Sequence, residues 1–401
     1  MPIELKDMDK ISSRHIKVLQ EHGVNSVEAL AMQSRLGLED MKGIGEKTAQ
    51  KLIWEARDTL GWSEFNKASD TEEKAEYIHT GSKELDRILG GGLQTGRLTE
   101  VYGPFKSGKT NFAHTVAVTV LLPKENGGMN GNVAYIDTEN TFSRSKIGRI
   151  AKRFGMTPKE ALSRIFEARI YSSDHQLQMI QKAESLCKNQ NVKLIVLDSL
   201  MALLRAEYVG IGMLARRQGV LNNMIHGLSR IAETYNCAVV LTNQVATQMK
   251  GMFSANDAIG GNIVAHGCHF RVMFKTKGFS ANSSLQRRGI IVDAPDLPPE
   301  ECEFFITSAG VADEETIEIP DDPSEVTLEK IDAEGGGNGA NLDLKKVKGL
   351  GEATSDKLGK LGIKSIKDLL VADPSDIAKE ISGYSKDQIV KLQSNARRLV
   401  S

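Results

Sequence analysis

The sequence is poor in aromatic residues and in cysteine, and it contains no long apolar run. Aromatic residues make up 5% of its 401 positions. No stretch reaches the roughly 18 apolar residues of a membrane span, and the first residues lack the apolar core of a signal peptide. The cysteines form no CxxC pair, so we expect reduced thiols in core positions, not a disulfide framework or a zinc site. These absences predict a cytoplasmic protein with no membrane partner. The four cysteines are Cys187, Cys237, Cys268 and Cys302.

The chain also has almost no net charge. It holds 51 Lys and Arg against 52 Asp and Glu, a balance that taken alone argues against a nucleic-acid-binding protein. The average hides an uneven distribution. Residues 81–310 hold 27 basic and 19 acidic side chains, residues 342–401 hold 12 and 8, and residues 311–341 hold one and ten. The neutral total is therefore compatible with two basic regions separated by an acidic segment.

Shifts in composition divide the chain into five parts. The polar stretch 61–80 and the acidic, glycine-rich stretch 317–341 cannot bury enough apolar surface to fold, so both are predicted to be linkers. They separate a small domain (1–60), a core (81–316) and a second small domain (342–401).

The two small domains look like copies of each other. KGIGEKTAQKL at 42–52 and KGLGEATSDKL at 348–358 are identical at seven of eleven positions, and 19–30 aligns with 358–369. Each domain is predicted to be all-α, with two helical hairpins. A Gly-hydrophobic-Gly turn resembles the helix-hairpin-helix motif, in which the backbone and free helix N–H groups approach DNA phosphates. A helix C-cap followed by a tight turn is the alternative. The candidate contacts are Gly43, Gly45, Gly349 and Gly351.

The core alternates apolar runs with helical stretches. Near-continuous apolar runs are typical of parallel strands that are buried on both faces. We therefore predict an α/β fold with a mostly parallel central sheet and a ligand site at the carboxyl ends of its strands. The predicted strands are 98–103, 132–138, 193–199 and 237–244, and the predicted helices include 109–122, 175–188 and 216–235.

Residues 103–110 read GPFKSGKT and match the phosphate-binding pattern GxxxxGK[ST] between an apolar run and a helix. The pattern predicts that Lys109 holds the β- and γ-phosphates of ATP and that Thr110 ligates Mg²⁺. Asp198, at the end of KLIVLDS, is a second candidate for the metal site. ATP and Mg²⁺ are therefore the expected cofactors.

Two further polar residues end predicted strands. Glu139 in YIDTENTF could polarise a water molecule for attack on the γ-phosphate. Gln244 in CAVVLTNQ could sense that phosphate and report it to the following loop. Either residue alone would be interpreted as a polar group at a strand end. Their joint presence beside a phosphate loop favours catalysis.

Six segments follow one another in an informative order: TGSKELDRILGGGLQTGRLTEVYG, the phosphate loop, YIDTENTF, RAEYVG, VVLTNQV and DAIGGNIVAH. Together they resemble the RecA superfamily of recombinases, most closely the archaeal RadA branch and its eukaryotic relatives, from residue 1 to about 316. The resemblance implies a RecA-like ATPase core, flanked here by helix-hairpin-helix domains at both ends. The second of these, 342–401, is not part of the usual family layout.

The resemblance also implies a function. A member of this family is expected to be a DNA-dependent ATPase that forms filaments on single-stranded DNA. It would catalyse homologous pairing and strand exchange in recombinational DNA repair, in association with the nucleoid. The implied partners are single- and double-stranded DNA, further copies of the chain in a filament or ring, and recombination mediator proteins.

Roles carry over from the family residue by residue. Glu139 matches the catalytic glutamate, acting with Lys109, and Gln244 matches the residue that couples ATP to the second DNA-binding loop, about 245–258. His266 matches a residue near the γ-phosphate of a neighbouring subunit, with an interior histidine as the alternative. The implied DNA contacts beside the first loop, about 206–217, are Arg205, Arg217 and Gln218. The implied nucleotide contacts are Gly103, Pro104, Phe105, Lys106, Ser107, Gly108, Lys109, Thr110, Asn111, Lys146 and His266.

Phe65 and Ala68, in the first linker, resemble the FxxA oligomerisation motif of the family. In that motif the linker adds a strand to the adjacent subunit. An aromatic side chain in an otherwise polar linker needs a surface that buries it, and packing with Trp62 on the first domain is the alternative.

The chain departs from the family pattern at Ile211, where an arginine is usual, at Asn140, where a glycine is usual, and at 143–146. Two other functions stay open. A recombinase paralogue that acts as a mediator without exchanging strands is favoured by Ile211. A RecA-fold protein ATPase of the clock or helicase type is disfavoured by the two helix-hairpin-helix domains.

Overall fold

The computed structural model describes residues 2–9, 11–65, 67–70, 75–245, 258–276 and 285–315. Beyond residue 315 it describes Thr354, Lys357, Leu358, Ile363, Leu369, Ile377, Ile389 and Leu392. The chain forms two compact units, Met1–Pro320 and Asp321–Ser401. Gly349, Gly351 and nearly all of the predicted second DNA-binding loop lie outside the described residues.

Serine residues begin three of the four helices of the first domain. The side chains of Ser12, Ser26 and Ser34 each accept a hydrogen bond from the backbone N–H three residues later, which satisfies one free donor of the first helical turn. The fourth helix begins after Gly45 without a side-chain cap. The domain thus forms the two predicted helical hairpins around an apolar core. Its helices are α1 (Ser13–Glu21), α2 (Val27–Ala31), α3 (Arg35–Glu39) and α4 (Glu46–Thr59), after a 3₁₀ turn at Leu5–Asp7.

The core is a layered α/β structure whose elements alternate as the sequence predicts. The strands are β1 (Tyr77–Ile78), β2 (Leu93–Gln94), β3 (Leu98–Gly103), β4 (Asn132–Asp137), β5 (Ile165–Arg169), β6 (Val192–Asp198), β7 (Ala238–Gln244), β8 (Phe270–Thr276), β9 (Gln286–Asp293), β10 (Glu301–Thr307) and β11 (Gly310–Ala312). The helices are α5 (Lys83–Ile88), α6 (Lys109–Thr119), α7 (Arg144–Arg153), α8 (Pro158–Ser163), α9 (Ser173–Asn189), α10 (Ala202–Glu207), α11 (Leu214–Tyr235) and α12 (Asn262–Gly267).

The main sheet has nine strands in the order β11-β10-β9-β8-β3-β7-β6-β4-β5. The pairs from β8 to β5 are parallel, and those from β8 to β11 are antiparallel. The central strands are buried on both faces, and one apolar cluster covers each face. The mostly parallel central sheet is confirmed. Because β3, β7, β6 and β4 are neighbours, their carboxyl ends meet at one edge.

The structure places part of the predicted first linker in the core. β1 pairs with β2, so Tyr77 and Ile78 belong to the ATPase core although they lie within 61–80. Ile78 is buried in the main apolar cluster. A two-residue strand has too short a pattern to be distinguished from a polar linker in the sequence.

The described positions of the second unit match the repeat in the sequence. Leu358, Ile363 and Leu369 are buried, as are the aligned residues of the first domain. The Ile363 amide donates to the Leu358 carbonyl at 3.0 Å, and the Val24 amide donates to the Leu19 carbonyl at 2.8 Å. The same turn geometry at aligned positions supports a common fold.

All four cysteines are buried and free, as predicted. Among the described residues, no helix has the length and apolar character needed to cross a bilayer.

Candidate active site

The phosphate loop joins β3 to α6 and depends on two glycines. Gly108 has φ +103° and forms the N-cap of α6, whose first amides have no side-chain cap. A Cβ on Gly103 would lie 2.2 Å from the Phe274 carbonyl oxygen. An uncapped helix N-terminus at the end of a tightly packed loop suits an anionic phosphate. The loop therefore fits the nucleotide that its sequence implies.

Lys109 is the cation of this loop. Its Nζ donates to the carbonyl oxygens of Gly103 at 2.9 Å and Pro104 at 3.0 Å, so the ammonium is held against the loop backbone. Burial lowers its pKa, while the negative charges of Asp198 and Glu139 act in the opposite direction. The lysine thus lies close enough to both carboxylates to interact with their charges.

Asp198 ends β6 and is buried among hydroxyl groups. Its Oδ2 accepts from the Tyr135 hydroxyl at 3.1 Å and from the Thr141 hydroxyl at 3.3 Å, and its Oδ1 accepts from the Thr242 hydroxyl. Burial raises the pKa of Tyr135 well above its usual value, and Asp198 adds to that shift. A carboxylate fixed by three hydroxyl donors, together with Thr110 on α6, offers the hard oxygen groups that Mg²⁺ prefers.

Glu139 and Gln244 come together at the same edge, as the sequence predicts. Glu139 Oε1 accepts from the Ser199 hydroxyl at 2.5 Å and from Gln244 Nε2 at 3.2 Å. Asp137 shapes the turn that carries Glu139, because its carboxylate accepts from the amides of Glu139 and Phe142, each at 3.0 Å. The candidate base is therefore oriented from two sides and remains exposed.

His114, a residue that the sequence does not single out, links the phosphate-loop helix to the turn after Glu139. Its Nδ1 donates to the Thr110 carbonyl at 2.7 Å, and its Nε2 accepts from the Ser143 amide at 3.0 Å. Burial lowers the pKa of His114, which agrees with the neutral form that this pattern requires. Ser199, Thr242 and His114 escape a motif search because each contacts a residue that is distant in sequence.

The remaining predicted nucleotide contacts lie on several different elements of the core. Phe105 is 87% exposed, and Lys106 beside it has a positive φ of 64°. Lys146 Nζ donates to the Thr307 carbonyl at 2.5 Å, and His266 is exposed on α12. Pro104 and Ser107 complete the loop, with the Ser107 amide bonded to the Pro104 carbonyl at 3.2 Å.

Asn111 is half-buried in the first turn of α6, and the next residue, Phe112, lies in the interior. Its side chain is 1% exposed and packs edge-on against Phe274, with ring centroids 5.5 Å apart. This position lies on the face of α6 that covers the sheet, so it belongs to the apolar core.

Comparison with known proteins agrees with this geometry. The family model described as Rad51 matches residues 72–314, and the model of a SAM-like tandem helix-hairpin-helix matches 3–58 and again 342–398. The chain is 40% identical over 319 residues to the DNA repair protein RAD51 of Saccharomyces cerevisiae, covering 78% of each chain. It is 39% identical over 317 residues to the DNA repair and recombination protein RadA of Metallosphaera sedula, covering 78% of this chain and 96% of that one.

The chain belongs to the Rad51 family. The match to the Rad51 family model, residues 72–314, includes the phosphate loop, Glu139, Asp198 and Gln244. The second helix-hairpin-helix match confirms the repeat that the sequence indicates.

In this Rad51-family protein, the predicted DNA contacts lie around α10 and α11. Arg205 is exposed at the end of α10. Arg217 is half-buried on α11, and Gln218 donates from Nε2 to the Gly260 carbonyl at 3.4 Å. Ile211 is 92% exposed on the 3₁₀ turn between these helices. An apolar side chain is thus exposed at the predicted first DNA-binding loop.

The first helix-hairpin-helix turn has the expected backbone. Gly43 has φ +102°, and Gly45 ends the turn at the start of α4. Both glycines are exposed, so the turn is open to a phosphate backbone.

Proposed function

We propose that this chain is an ATP-dependent recombinase that assembles on single-stranded DNA and catalyses homologous pairing and strand exchange in DNA repair. Membership of the Rad51 family makes it a DNA-dependent ATPase of DNA recombination and repair. The observation that carries the proposal is the hydrogen bond between Glu139 and Gln244. It joins the candidate base to the last residue of β7, immediately before the predicted second DNA-binding loop.

ATP is the nucleotide, and its phosphates are expected against the amides of the loop and of the first turn of α6, with Lys109 beside them. Thr110 and Asp198 would hold Mg²⁺, which supplies charge neutralisation of the phosphates when bound. Glu139 would accept a proton from the attacking water, and Ser199 and Gln244 keep its carboxylate oriented. Only a phosphoanhydride bond is broken, and no covalent bond in DNA changes.

DNA is expected along two kinds of surface. Arg205, Arg217 and Gln218 border the predicted loops of the core, and Gly43 and Gly45 offer backbone amides on the first domain. Contacts of these types address the phosphate backbone and carry no base sequence information. The core range 81–310 has an excess of basic over acidic residues, 27 against 19. We expect no sequence preference and a marked dependence on salt.

Self-assembly is proposed through the first linker. Phe65 is fully exposed, at 107% of its reference area, so the alternative of packing on the first domain has no support. β5 is an edge strand of the main sheet and presents unpaired backbone groups. The linker of one subunit would pair with β5 of the next and bury the Phe65 ring, with Ala68 nearby. Ring and filament both satisfy this contact.

The proposal is tested by measuring phosphate release with and without single-stranded DNA. We expect DNA to stimulate the wild type, and we expect Lys109→Ala to abolish turnover because the loop loses its cation. Lys159→Ala, an exposed lysine on α8, is the matched control and should resemble the wild type. Full turnover in Lys109→Ala would contradict the assigned site.

The exposed Ile211 favours one second candidate, a mediator that binds ATP and DNA without exchanging strands. The two functions differ in a single assay. A protein with DNA-stimulated turnover and no strand exchange, in which Ile211→Arg restores exchange, would be the mediator.

A further inference from the structure

A buried asparagine that has no role in the site described above lies one residue before Gln244. Asn243 is 0% exposed, and its side chain makes hydrogen bonds to three groups. Its Nδ2 donates to Glu100 Oε1 at 2.8 Å and to the Ile259 carbonyl at 2.6 Å. Its Oδ1 accepts from the Gln244 amide at 2.8 Å.

The chemistry of these partners fixes the orientation of the amide. A carboxylate and a carbonyl can only accept, so the NH₂ group must face Glu100 and Ile259. The Gln244 N–H can only donate, so the oxygen must face it. An amide turned by 180° would lose all three bonds and leave buried polar groups without partners, which is unfavourable.

Glu100 is itself immobilised. It is fully buried on β3, and its Oε2 accepts from Arg271 Nε on β8 at 2.8 Å. The ion pair and Asn243 therefore connect three adjacent strands, β7, β3 and β8. This gives the asparagine a rigid support inside the sheet.

Two of the groups that Asn243 holds flank the predicted second DNA-binding loop. The Gln244 amide lies just before that loop, and the Ile259 carbonyl lies just after it. The Ile259 amide also donates to the Gln244 carbonyl at 3.0 Å, and Val245 forms a bridge with Ala258. The two ends of the loop are thus held side by side, and Asn243 bonds to both.

The same group of residues reaches the nucleotide site. Gln244, whose amide bonds to Asn243, donates through its own side chain to Glu139 Oε1 at 3.2 Å. The distance from the candidate base to the end of the DNA-binding loop is therefore spanned by two side chains, those of Gln244 and Asn243.

We propose that Asn243 is a positioning residue that couples single-stranded DNA to ATP turnover, because it fixes the Ile259 carbonyl end of the second DNA-binding loop relative to Gln244. The proposal rests on the function proposed above and adds a residue to it. Asn243 touches neither ATP nor DNA. It transmits a change at the loop end to the partner of Glu139.

An exchange of two side chains removes the donor of the Ile259 carbonyl, keeps a hydrogen bond in every other place, and replaces the Glu100–Arg271 ion pair by a neutral acceptor. In the double variant Asn243→Asp with Glu100→Gln, the new Gln amide can donate to the new Asp carboxylate, and the Gln oxygen can still accept from Arg271. The total charge is unchanged, and the Gln244 amide keeps its acceptor. The Ile259 carbonyl alone loses its donor and faces a carboxylate instead.

The measurement is the ratio of phosphate-release rates with and without single-stranded DNA, together with the KM for ATP. We expect the ratio to fall by about 5–150-fold, the range of a coupling free energy of 1–3 kcal/mol. The rate without DNA and the KM should change less than about twofold.

The single variant Asn243→Asp should show the same loss of coupling with a lower melting temperature, because its carboxylate also faces Glu100. Asn132→Asp, at the start of β4, is the control for an Asn-to-Asp change in the same sheet and should keep the ratio.

The outcomes separate the two proposals. An unchanged ratio in the folded double variant, or an equal fall of both rates, would overturn the coupling role while the wild type remained DNA-stimulated. A wild type without DNA stimulation would overturn the proposed function, and this coupling with it.

Discussion

Replacing Glu139 by glutamine tests the catalytic assignment with almost no change of shape. Glu139 Oε1 accepts from Ser199 and Gln244, and a glutamine oxygen can accept the same two bonds. The other carboxylate oxygen receives no hydrogen bond from the described residues, so the amide nitrogen can replace it without breaking a contact. Glu139→Gln therefore removes the proton acceptor and leaves the geometry in place.

The expected magnitude is that of a lost general base. Such groups contribute about 10²–10⁴-fold, which corresponds to about 2.7–5.4 kcal/mol of barrier at about 1.36 kcal/mol per factor of ten. We expect turnover at saturating ATP and single-stranded DNA to fall within this range, while ATP affinity changes less than about threefold because the phosphate loop is intact. On the proposed function strand exchange should persist, because bound ATP, rather than its hydrolysis, would hold the assembly on DNA.

Phosphate release measures the turnover, and the binding of a fluorescent nucleotide measures the affinity for ATP. Glu233→Gln is the matched control, because Glu233 is an exposed carboxylate on α11. Turnover of Glu139→Gln within about threefold of the wild type would refute the assignment and require another base.

Three further predictions address assembly, DNA contact and pH. Phe65→Glu should convert large assemblies into small species in light scattering, and unchanged particle size would place the subunit contact elsewhere. In the variant Trp62→Phe, Trp54 is the remaining tryptophan and is 61% exposed on α4. Its fluorescence should change when DNA binds. A constant signal in the presence of bound DNA would mean that the first domain does not contact the DNA. Burial lowers the pKa of Lys146 from 10.5 to about 8, so the unfolded chain binds more protons between these values. The free energy of unfolding of the nucleotide-free protein should therefore rise from pH 8 to 10.5, and Lys146→Met, tested by urea denaturation, should lose the rise.

Much of the fold follows from local patterns. The apolar run 98–103 is β3, and the other three predicted strands agree with β4, β6 and β7 to within one residue at each end. Buried parallel strands leave such a continuous signal because both faces are covered. The antiparallel strands β9 and β10 are not predicted, because they are only partly buried and lack the continuous apolar run of the parallel strands.

The residues of the site also fall into two groups, those that the sequence identifies and those that only the structure identifies. Lys109, Thr110, Glu139, Asp198 and Gln244 are visible in the sequence because each belongs to a motif at a strand end. The groups that orient them are not, because contacts such as those of His114 with Ser143 or Asn243 with Ile259 join residues far apart in the chain.

The most direct test of the account is a strand-exchange assay with ATP, with a non-hydrolysable ATP analogue and without nucleotide. The wild type should exchange strands with ATP and with the analogue, and Lys109→Ala should do so with neither. Exchange without any nucleotide, or no exchange by a wild type whose ATPase responds to DNA, would contradict the central claim that ATP at this site holds the chain in its DNA-pairing state.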